Sequence, residues 1–291
     1  MKSDVAIILL NYNNYQATID CIKRLHNIGV CSSDIIIVDN NSTNDSLKKI
    51  QNFSQGEKLI QSGKNGGYAY GNNIGIKRAI KDNYQYVCIM NPDIFFDSDF
   101  ITPLVKTLEN DKKIGVIGPC LRFLESGNIA SMGGTFRLYT GKSSFNHMHE
   151  PYVNRGITEC DYISGGCMVA EISKIEEFGL IPEEYFLDYE DNEWCNQVKK
   201  KGYKVVCLSS VYVFHEGEST INTISGLNLY FMYRNRVLFE KRNARIWHKI
   251  IFYPYMFAII LFSFLSKSRR VSIKPYIDGF TGKNKYSYLI K

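Results

Sequence analysis

The chain has 291 residues, of which 45% are hydrophobic and 22% charged, with 20 Tyr and 17 Phe. That balance is globular and excludes disordered, collagen-like, coiled-coil and disulfide-scaffold proteins; the length suits one large α/β domain with an appendage, or two domains. The net charge of +6 is unevenly spread: residues 234–291 carry 13 Lys and Arg against only Glu240 and Asp278, a net +11, which leaves the body at −5. A basic end on an acidic body points to a polyanion at that end, either nucleic acid or an anionic membrane leaflet.

In chain order, residues 5–10 and 35–38 are unbroken apolar runs rich in β-branched residues, and between them Ile19, Ile22 and Leu25 recur at helical spacing. Strand, helix, strand with both strands apolar on two faces is the pattern of a parallel sheet. The first run is too short for a signal-peptide core and ends in Asn11-Tyr12-Asn13-Asn14 with no cleavage site, so secretion is not expected. The alternation continues with a short segment at Leu59-Ile60, a helix over 72–81, a strand over 86–90, a helix over 99–110 and a strand over 115–117. Residues 120–160 read as irregular or short antiparallel structure, after which order returns at 166–170, with helices at 173–178 and 191–200 and strands at 205–208 and 211–214. A doubly wound α/β sheet places its ligands at the carboxyl ends of the strands. The eight cysteines form no CxxC and several lie in apolar runs, so they read as reduced core residues of a cytosolic protein.

Candidate site residues gather after the strands. No glycine-rich turn follows the first strand, which argues against a dinucleotide-binding dehydrogenase. The second strand delivers Asp39 into Asn40-Asn41-Ser42-Thr43, where its carboxylate can accept from a base N–H or ribose hydroxyl, or can belong to a capped turn. Asn65-Gly66-Gly67-Tyr68-Ala69-Tyr70-Gly71-Asn72-Asn73 opens a helix with glycines that permit close backbone approach to a ligand. Asn91-Pro92-Asp93 follows the strand at 86–90, either as an ordinary turn or as an oxygen ligand for a divalent cation that takes its other positions from water and phosphate. Farther on, Tyr189-Glu190-Asp191-Asn192-Glu193-Trp194 places three carboxylates at a helix start; the macrodipole favours their charge there, and mutual repulsion raises the pKa of one.

His215 follows a strand in the sequence Phe-His-Glu-Gly-Glu-Ser219, and Tyr233-Arg234-Asn235-Arg236 supplies guanidiniums that either clamp phosphates or form a solvated helix face. After a helical pattern over 227–240, residues 250–265 contain no charge, include Pro254, and are flanked by Lys241, Arg242 and Arg245 and by Lys267, Arg269 and Arg270. Sixteen residues fall short of the ~20 of a spanning helix, so an interfacial or re-entrant membrane segment is expected, with a buried helical hairpin as the alternative. Basic residues flanking an apolar run, without stacking aromatics on a polar face, disfavour nucleic acid.

Taken jointly, VDNNST, NGGYAYGNN, NPD and YEDNEW resemble the family 2 glycosyltransferases of GT-A fold, especially the rhamnosyltransferase-like branch of bacterial polysaccharide synthesis, over residues 4–240. The resemblance implies a Rossmann-like mixed sheet with flanking helices over 1–225, nucleotide-sugar half to about 118 and acceptor half beyond, and a helical membrane-associating region over 226–291. It implies Asp191 as catalytic base and a nucleotide sugar (dTDP-rhamnose first, a UDP-hexose next) along Asn11, Asn13, Asp39, Asn65, Gly67, Asn72, Asn91, Asp93 and Arg234. It places Mg2+ or Mn2+ at Asp93 and His215, and a lipid-linked saccharide acceptor near Gly166, Glu190 and Trp194, at the cytoplasmic face of the inner membrane. The chain departs from the family's DxD pattern by carrying Asn91 at the first position. A nucleotidyltransferase of related fold would need a basic, glycine-rich loop where residues 11–14 stand; a non-catalytic carbohydrate-binding or scaffold subunit is the other alternative.

Overall fold

The computed structural model describes residues 4–215, 226–265 and 267–290. The amino-terminal half alternates as expected: β1 (Val5–Asn11), α1 (Tyr15–Asn27), β2 (Ile35–Asp39), α2 (Ser46–Phe53), β3 (Lys58–Gln61), α3 (Gly67–Lys81) and β4 (Tyr86–Met90). It continues through β5 (Ile94–Phe95), α4 (Ile101–Asn110), β6 (Ile114–Phe123), β7 (Ile129–Ser131), β8 (Gly134–Arg137), β9 (Lys142–Phe145) and β10 (Ile157–Glu159). The rest of the body is β11 (Cys167–Glu171), α5 (Ile172–Phe178), α6 (Glu190–Lys200) and β12 (Lys204–His215), followed by α7 (Leu227–Asn243), α8 (Ile246–Leu265) and α9 (Ile273–Thr281).

Ten strands form one mixed sheet of order β10-β12-β6-β11-β4-β1-β2-β3, with β5 on β12 and β7 on β6. β11 runs antiparallel to both β4 and β6 and joins the parallel set β4-β1-β2-β3 to the parallel pair β6 and β12. Alternate side chains of each strand face opposite sides. Ile8, Ile36, Val38, Val87 and Ile89 meet Ile76 and Ala79 of α3 and Trp194 and Val198 of α6 on one side. On the other, Ile7, Leu9, Ile35, Ile37 and Met90 meet Ile22 and Leu25 of α1, Ile50 of α2 and Leu104 of α4. Each such side chain contributes roughly 1.5–3 kcal/mol when fully buried, so the sheet is held from both faces and its strand ends are rigid platforms.

Three details differ from the sequence reading. The strands expected at 205–208 and 211–214 are one strand, β12, whose pairing with β6 shifts register between Leu208 and Tyr212. Helix α3 begins at Gly67, five residues earlier than expected, because its glycines face the sheet: a Cβ on Gly71 would stand 2.2 Å from Leu10 Cδ1, and one on Gly75 2.5 Å from Ile8 Cγ2. Those two glycines therefore admit β1, not a ligand. Cys31 is exposed, while the other seven cysteines are buried.

Of the carboxyl-terminal helices, α7 docks on the body and α9 packs against α7 so closely that a Cβ on Gly279 would lie 2.5 Å from the Arg234 carbonyl oxygen. Helix α8 extends four residues farther toward its start than the charge-free run, spans 20 residues with mean hydropathy 1.6, and is long and apolar enough to cross a membrane by length and composition. Phe252, Met256 and Ser263 are its buried residues. The expected motif residues 216–219, and the 225/226 boundary, fall on or beside positions outside the described residues.

Candidate active site

The carboxyl ends of β1, β2 and β4 open on a cleft of about 500 Å³ whose lining includes Asn11, Tyr12, Asn40, Asn65, Gly67, Tyr68, Asn91, Asp93, Ser164, Phe186, Leu187 and His215. Its far wall is apolar, with Phe123, Ala130, Phe145, Met148, Leu227 and Leu289. No Lys or Arg is among the lining residues that the structure describes.

Strand register brings the first polar pair together. β5 pairs antiparallel with β12 so that His215 lies opposite Ile94, and this sets His215 Nε2 3.4 Å from Asp93 Oδ2. Asn91 is fixed by its backbone N–H, which donates to the Gly166 carbonyl. No group of three or more His, Cys, Asp or Glu side chains that could enclose a metal ion occurs among the described residues. A carboxylate with one imidazole still fits a hard divalent cation of the kind that draws its remaining ligands from water and diphosphate. With no cationic side chain in the described lining, such an ion would also be the local source of positive charge for a diphosphate.

Asp39 does not face this cleft. It is wholly buried at the end of β2, and its carboxylate accepts from Asn11 Nδ2 (2.8 Å), the Ser42 N–H (2.9 Å) and Ser42 Oγ (2.7 Å), closing the Asp-Asn-Asn-Ser turn. Asn13, at φ +58°, joins that turn to the end of β1: its N–H donates to Ser42 Oγ and its Oδ1 accepts from the Thr43 N–H. Asn40 is the residue of this turn that reaches the cleft. Its Nδ2 donates to Asn65 Oδ1 (3.0 Å) and to the Gly67 carbonyl (3.1 Å), which fixes the amide orientation, and its buried Oδ1 has no partner among the described residues. Asn65 Oδ1 also accepts from the Gly67 N–H. Gly67 adopts φ +85°, and a Cβ there would stand 2.1 Å from the Phe186 carbonyl oxygen, so its lack of a side chain admits the 186 turn. Asn72 is buried in α3, where its Nδ2 donates to the Tyr68 carbonyl, and is not in the lining.

The second polar group stands where the 185–189 turn enters the first turn of α6. Asp191 Oδ2 accepts from the Gly165 N–H at 3.0 Å, and residues 164–166 thus tie Asp191 to Asn91, through the Gly166 carbonyl, and to the cleft, through Ser164. The acidic cluster is not the one expected. Glu193 is buried and accepts from Arg242 Nε (2.8 Å) and from the Tyr185 hydroxyl, so it belongs to the packing of α6 on α7. Its place is taken by Asp188, whose carboxyl is pushed up to about 7 by burial and by the nearby Asp191. Burial lifts Glu190 well above the ordinary carboxylate range, with Asp191 and Asp188 adding to the effect. Asp191 is raised by burial but held down by the backbone N–H groups of Gly165 and Asn192, so it is the member of the cluster whose anion is directly hydrogen-bonded. Tyr68, whose hydroxyl donates to the Gly165 carbonyl, completes this corner of the cleft.

Two further expectations meet a different structure. Trp194 is fully buried and its Nε1 donates to the Gly179 carbonyl, which leaves it no surface for an acceptor. Arg234 and Arg236 are buried, not cleft-facing: Arg234 Nε donates to the Lys283 carbonyl, and Arg236 donates to the Thr140 carbonyl and to the hydroxyls of Tyr276 and Tyr255. Neither Asn40 nor Asp188 is among the site residues expected from the sequence: Asn40 stands directly after Asp39 in the Asp-Asn-Asn-Ser turn, and Asp188 stands three residues before Asp191.

The same fold recurs in solved structures. A mannosyltransferase from Pyrobaculum calidifontis in complex with GDP-Man and Mn2+ aligns over 97% of this chain and 75% of its own with TM-score 0.59 at 12% identity. GalNAc-T7 with UDP, GalNAc and Mn2+ aligns over 72% of this chain and 43% of its own, also at 0.59, with 15% identity. Both likenesses show the fold, a GT-A sheet. In sequence, the dTDP-rhamnosyl transferase RfbF of Shigella flexneri is 24% identical over 100% of this chain and 93% of its own length. The low-salt glycan biosynthesis hexosyltransferase Agl10 of Haloferax volcanii is also 24% identical, over 82% of this chain and 76% of its own. The family model described as glycosyl transferase family 2 matches residues 6–170, more than half of the chain, which places the protein in that family as a glycosyltransferase.

Proposed function

We propose that the protein is an inverting glycosyltransferase that moves a sugar from a nucleotide diphosphate to a hydroxyl of a lipid-linked saccharide in bacterial surface polysaccharide synthesis, such as O-antigen or capsule. The observation that carries the reading is the link made by residues 164–166, which join Asp191, beside the cleft, to the Asn91-Pro92-Asp93 turn that lines it. dTDP-rhamnose is the first donor proposed and a UDP-hexose the second, supported by the relative whose name includes dTDP-rhamnosyl transfer. Asn40 Oδ1, without a partner among the described residues, suits this class: it can accept from the imide N–H of thymine or uracil, whereas cytosine presents an acceptor at the equivalent ring nitrogen. Asp39, Asn11 and Asn13 shape the loop that holds it.

Asp191 takes the proton of the acceptor hydroxyl as that oxygen bonds to the anomeric carbon. The bond from that carbon to the diphosphate oxygen breaks on the opposite face, and its electron pair leaves with the nucleotide. Asp93 and His215 are proposed to hold Mg2+ or Mn2+, which when bound supplies positive charge for the diphosphate. Gly166 and Glu190 stand next to the base, on the side where the acceptor is proposed to enter.

The exposed stripe of α8, including Ile250, Phe257, Leu261 and Leu265, with Lys267, Arg269 and Arg270 beyond it, supports peripheral association with the cytoplasmic face of the inner membrane. Replacement of Asp191 by Asn tests the chemistry. General-base catalysis contributes roughly 10²–10⁴-fold, so Asp191→Asn is expected to reduce transfer by at least ~10² while nucleoside diphosphate binding stays near wild type. Near-wild-type turnover by the purified variant would remove Asp191 from the role.

A further inference from the structure

We propose that Asn235, on α7, is a positioning residue for transfer: it holds the 185–189 turn that lines the cleft with Phe186 and Leu187 and leads into the acidic cluster of Asp188, Glu190 and Asp191. The inference rests on the reading of Asp191 as the base. Phe186, Asp188 and Tyr189 adopt φ values of +70°, +63° and +75°. Three side-chain-bearing residues in the left-handed region within four positions are disfavoured, and such a turn persists only where its surroundings determine it.

Asn235 supplies that determination from one side. It is wholly buried, and its Nδ2 lies 3.1, 2.6 and 2.9 Å from the carbonyl oxygens of Tyr185, Leu187 and Asp188. Two N–H groups serve three carbonyls, which draws those carbonyls toward one point and curls the turn around it. The orientation of the amide is fixed from behind, where Arg234 Nη1 donates to Asn235 Oδ1 at 2.6 Å and Arg234 Nε reaches the Lys283 carbonyl.

The other side of the turn is held by α3. The Tyr68 N–H donates to the Phe186 carbonyl at 3.0 Å, and Asn73 brackets the approach, donating to the Ile181 carbonyl and accepting from the Ile181 N–H. The turn is therefore stretched between a helix of the sheet and a helix of the carboxyl-terminal region. Phe186 and Leu187 line the cleft, and Asp191 lies two residues beyond the last left-handed position. Releasing the α7 side frees the turn to relax toward ordinary dihedrals and carries the acidic cluster with it, while the Asn40 and Asp93 side of the cleft keeps its own supports.

The test uses the full chain. Asn235→Asp preserves the volume and gains a charge pair with Arg234 but offers no donor to the carbonyls; Asn235→Ala removes the group. Four quantities are read: thermal midpoint, UDP affinity with Mn2+, amide hydrogen exchange of peptides spanning 185–191 and 86–90, and kcat and KM for dTDP-rhamnose and UDP-glucose consumption. Expected for both variants are cooperative unfolding, UDP affinity within about threefold of wild type, exchange faster by about tenfold or more at 185–191 and unchanged at 86–90, and kcat lower by about 10²-fold where wild type consumes the donor, since a displacement near 1 Å has an effect of that size. Unchanged exchange at 185–191, wild-type kcat, or loss of folding and UDP binding together would each overturn the proposal in favour of a packing role. Asp191→Asn is run beside them: if that variant turns over normally while Asn235→Asp does not, the base assignment fails and the role of Asn235 in setting the turn stands.

Discussion

Glu240 offers a stability measurement whose sign and size follow from the structure. It lies on α7, five residues beyond Asn235, fully buried, with neither carboxylate oxygen hydrogen-bonded among the described residues. Burial pushes its pKa up to about 8 against an ordinary 4.5, with Arg236 and Lys249 opposing the rise. A carboxyl whose folded pKa is raised keeps its proton in the native state while the unfolded chain loses one, so its contribution to stability falls as pH rises from about 4.5 to about 8. At ~1.4 kcal/mol per unit the full shift corresponds to at most about 5 kcal/mol, and relaxation with water entry on ionisation reduces this to roughly 2–3 kcal/mol. Glu240→Gln keeps the neutral shape at every pH. Calorimetric melting of both proteins at pH 5 and pH 8.5 is therefore expected to show a difference that moves in favour of the variant by roughly 5 °C at the higher pH. Other raised carboxyls, Asp188 and Glu190 among them, act alike in both proteins and cancel. A difference independent of pH, or one that moves against the variant, would refute the reasoning.

Asp93→Ala is expected to abolish the gain in UDP affinity that Mn2+ confers on the wild-type protein; calorimetry giving equal wild-type affinities with Mn2+ and with chelator would count against a cation at that residue. Gly67→Ala places a Cβ 2.1 Å from the Phe186 carbonyl oxygen, so it is expected to destabilise the fold by about 2–4 kcal/mol in denaturant titration, and a loss under ~0.5 kcal/mol would show that the 186 turn yields freely. Removing the chain after Arg245 would strip α7 of α9, so the membrane reading is better tested by Phe257→Glu and Leu261→Glu on the exposed stripe. These variants are expected to lose flotation with anionic liposomes and to retain UDP binding, and undiminished flotation would sink the reading.

How much of this was legible depended on whether a residue's role was local. The β1, β2 and β4 runs announce a buried parallel sheet because each residue on both faces is apolar, and the ends of those runs put Asn11, Asn91 and Asp93 in the cleft without any long-range information. His215 is placed beside Asp93 in the sequence by resemblance alone; the pairing of a two-residue strand, Ile94–Phe95, with the end of β12, which composition does not signal, is what brings the two together. Charge misled in two places. Glu193 and Arg242 each read as a functional charge until the packing of α6 on α7 pairs them, and the Arg234-Asn235-Arg236 run reads as a phosphate clamp or a solvated helix face, whereas all three residues are buried. The glycine-rich stretch looked like a ligand loop, yet Gly71 and Gly75 answer to the side chains of β1. In each case the deciding partner is remote in sequence and is brought close only by the fold.

The burial of Arg234 and Arg236 also changes the electrostatic argument for the tail. Of the 13 basic residues in 234–291, those two are buried and Arg242, though exposed, is paired with Glu184 and Glu193, while the exposed charge near the end of α8 comes from Lys267, Arg269, Arg270 and Lys274. At about 1 kcal/mol for each basic residue near an anionic surface, four supply roughly 4 kcal/mol, an association of only about millimolar strength. Stable seating then requires the apolar stripe of α8 as a second signal, as for lipid-anchored proteins that need a chain and a basic patch together. High salt is accordingly expected to weaken, not abolish, the liposome binding of the wild-type protein, whereas Phe257→Glu disrupts the apolar contact that contributes most of the binding. Because α7 links α8 to Asn235, a membrane that fixes α8 also restrains the helix from which the acidic turn is held.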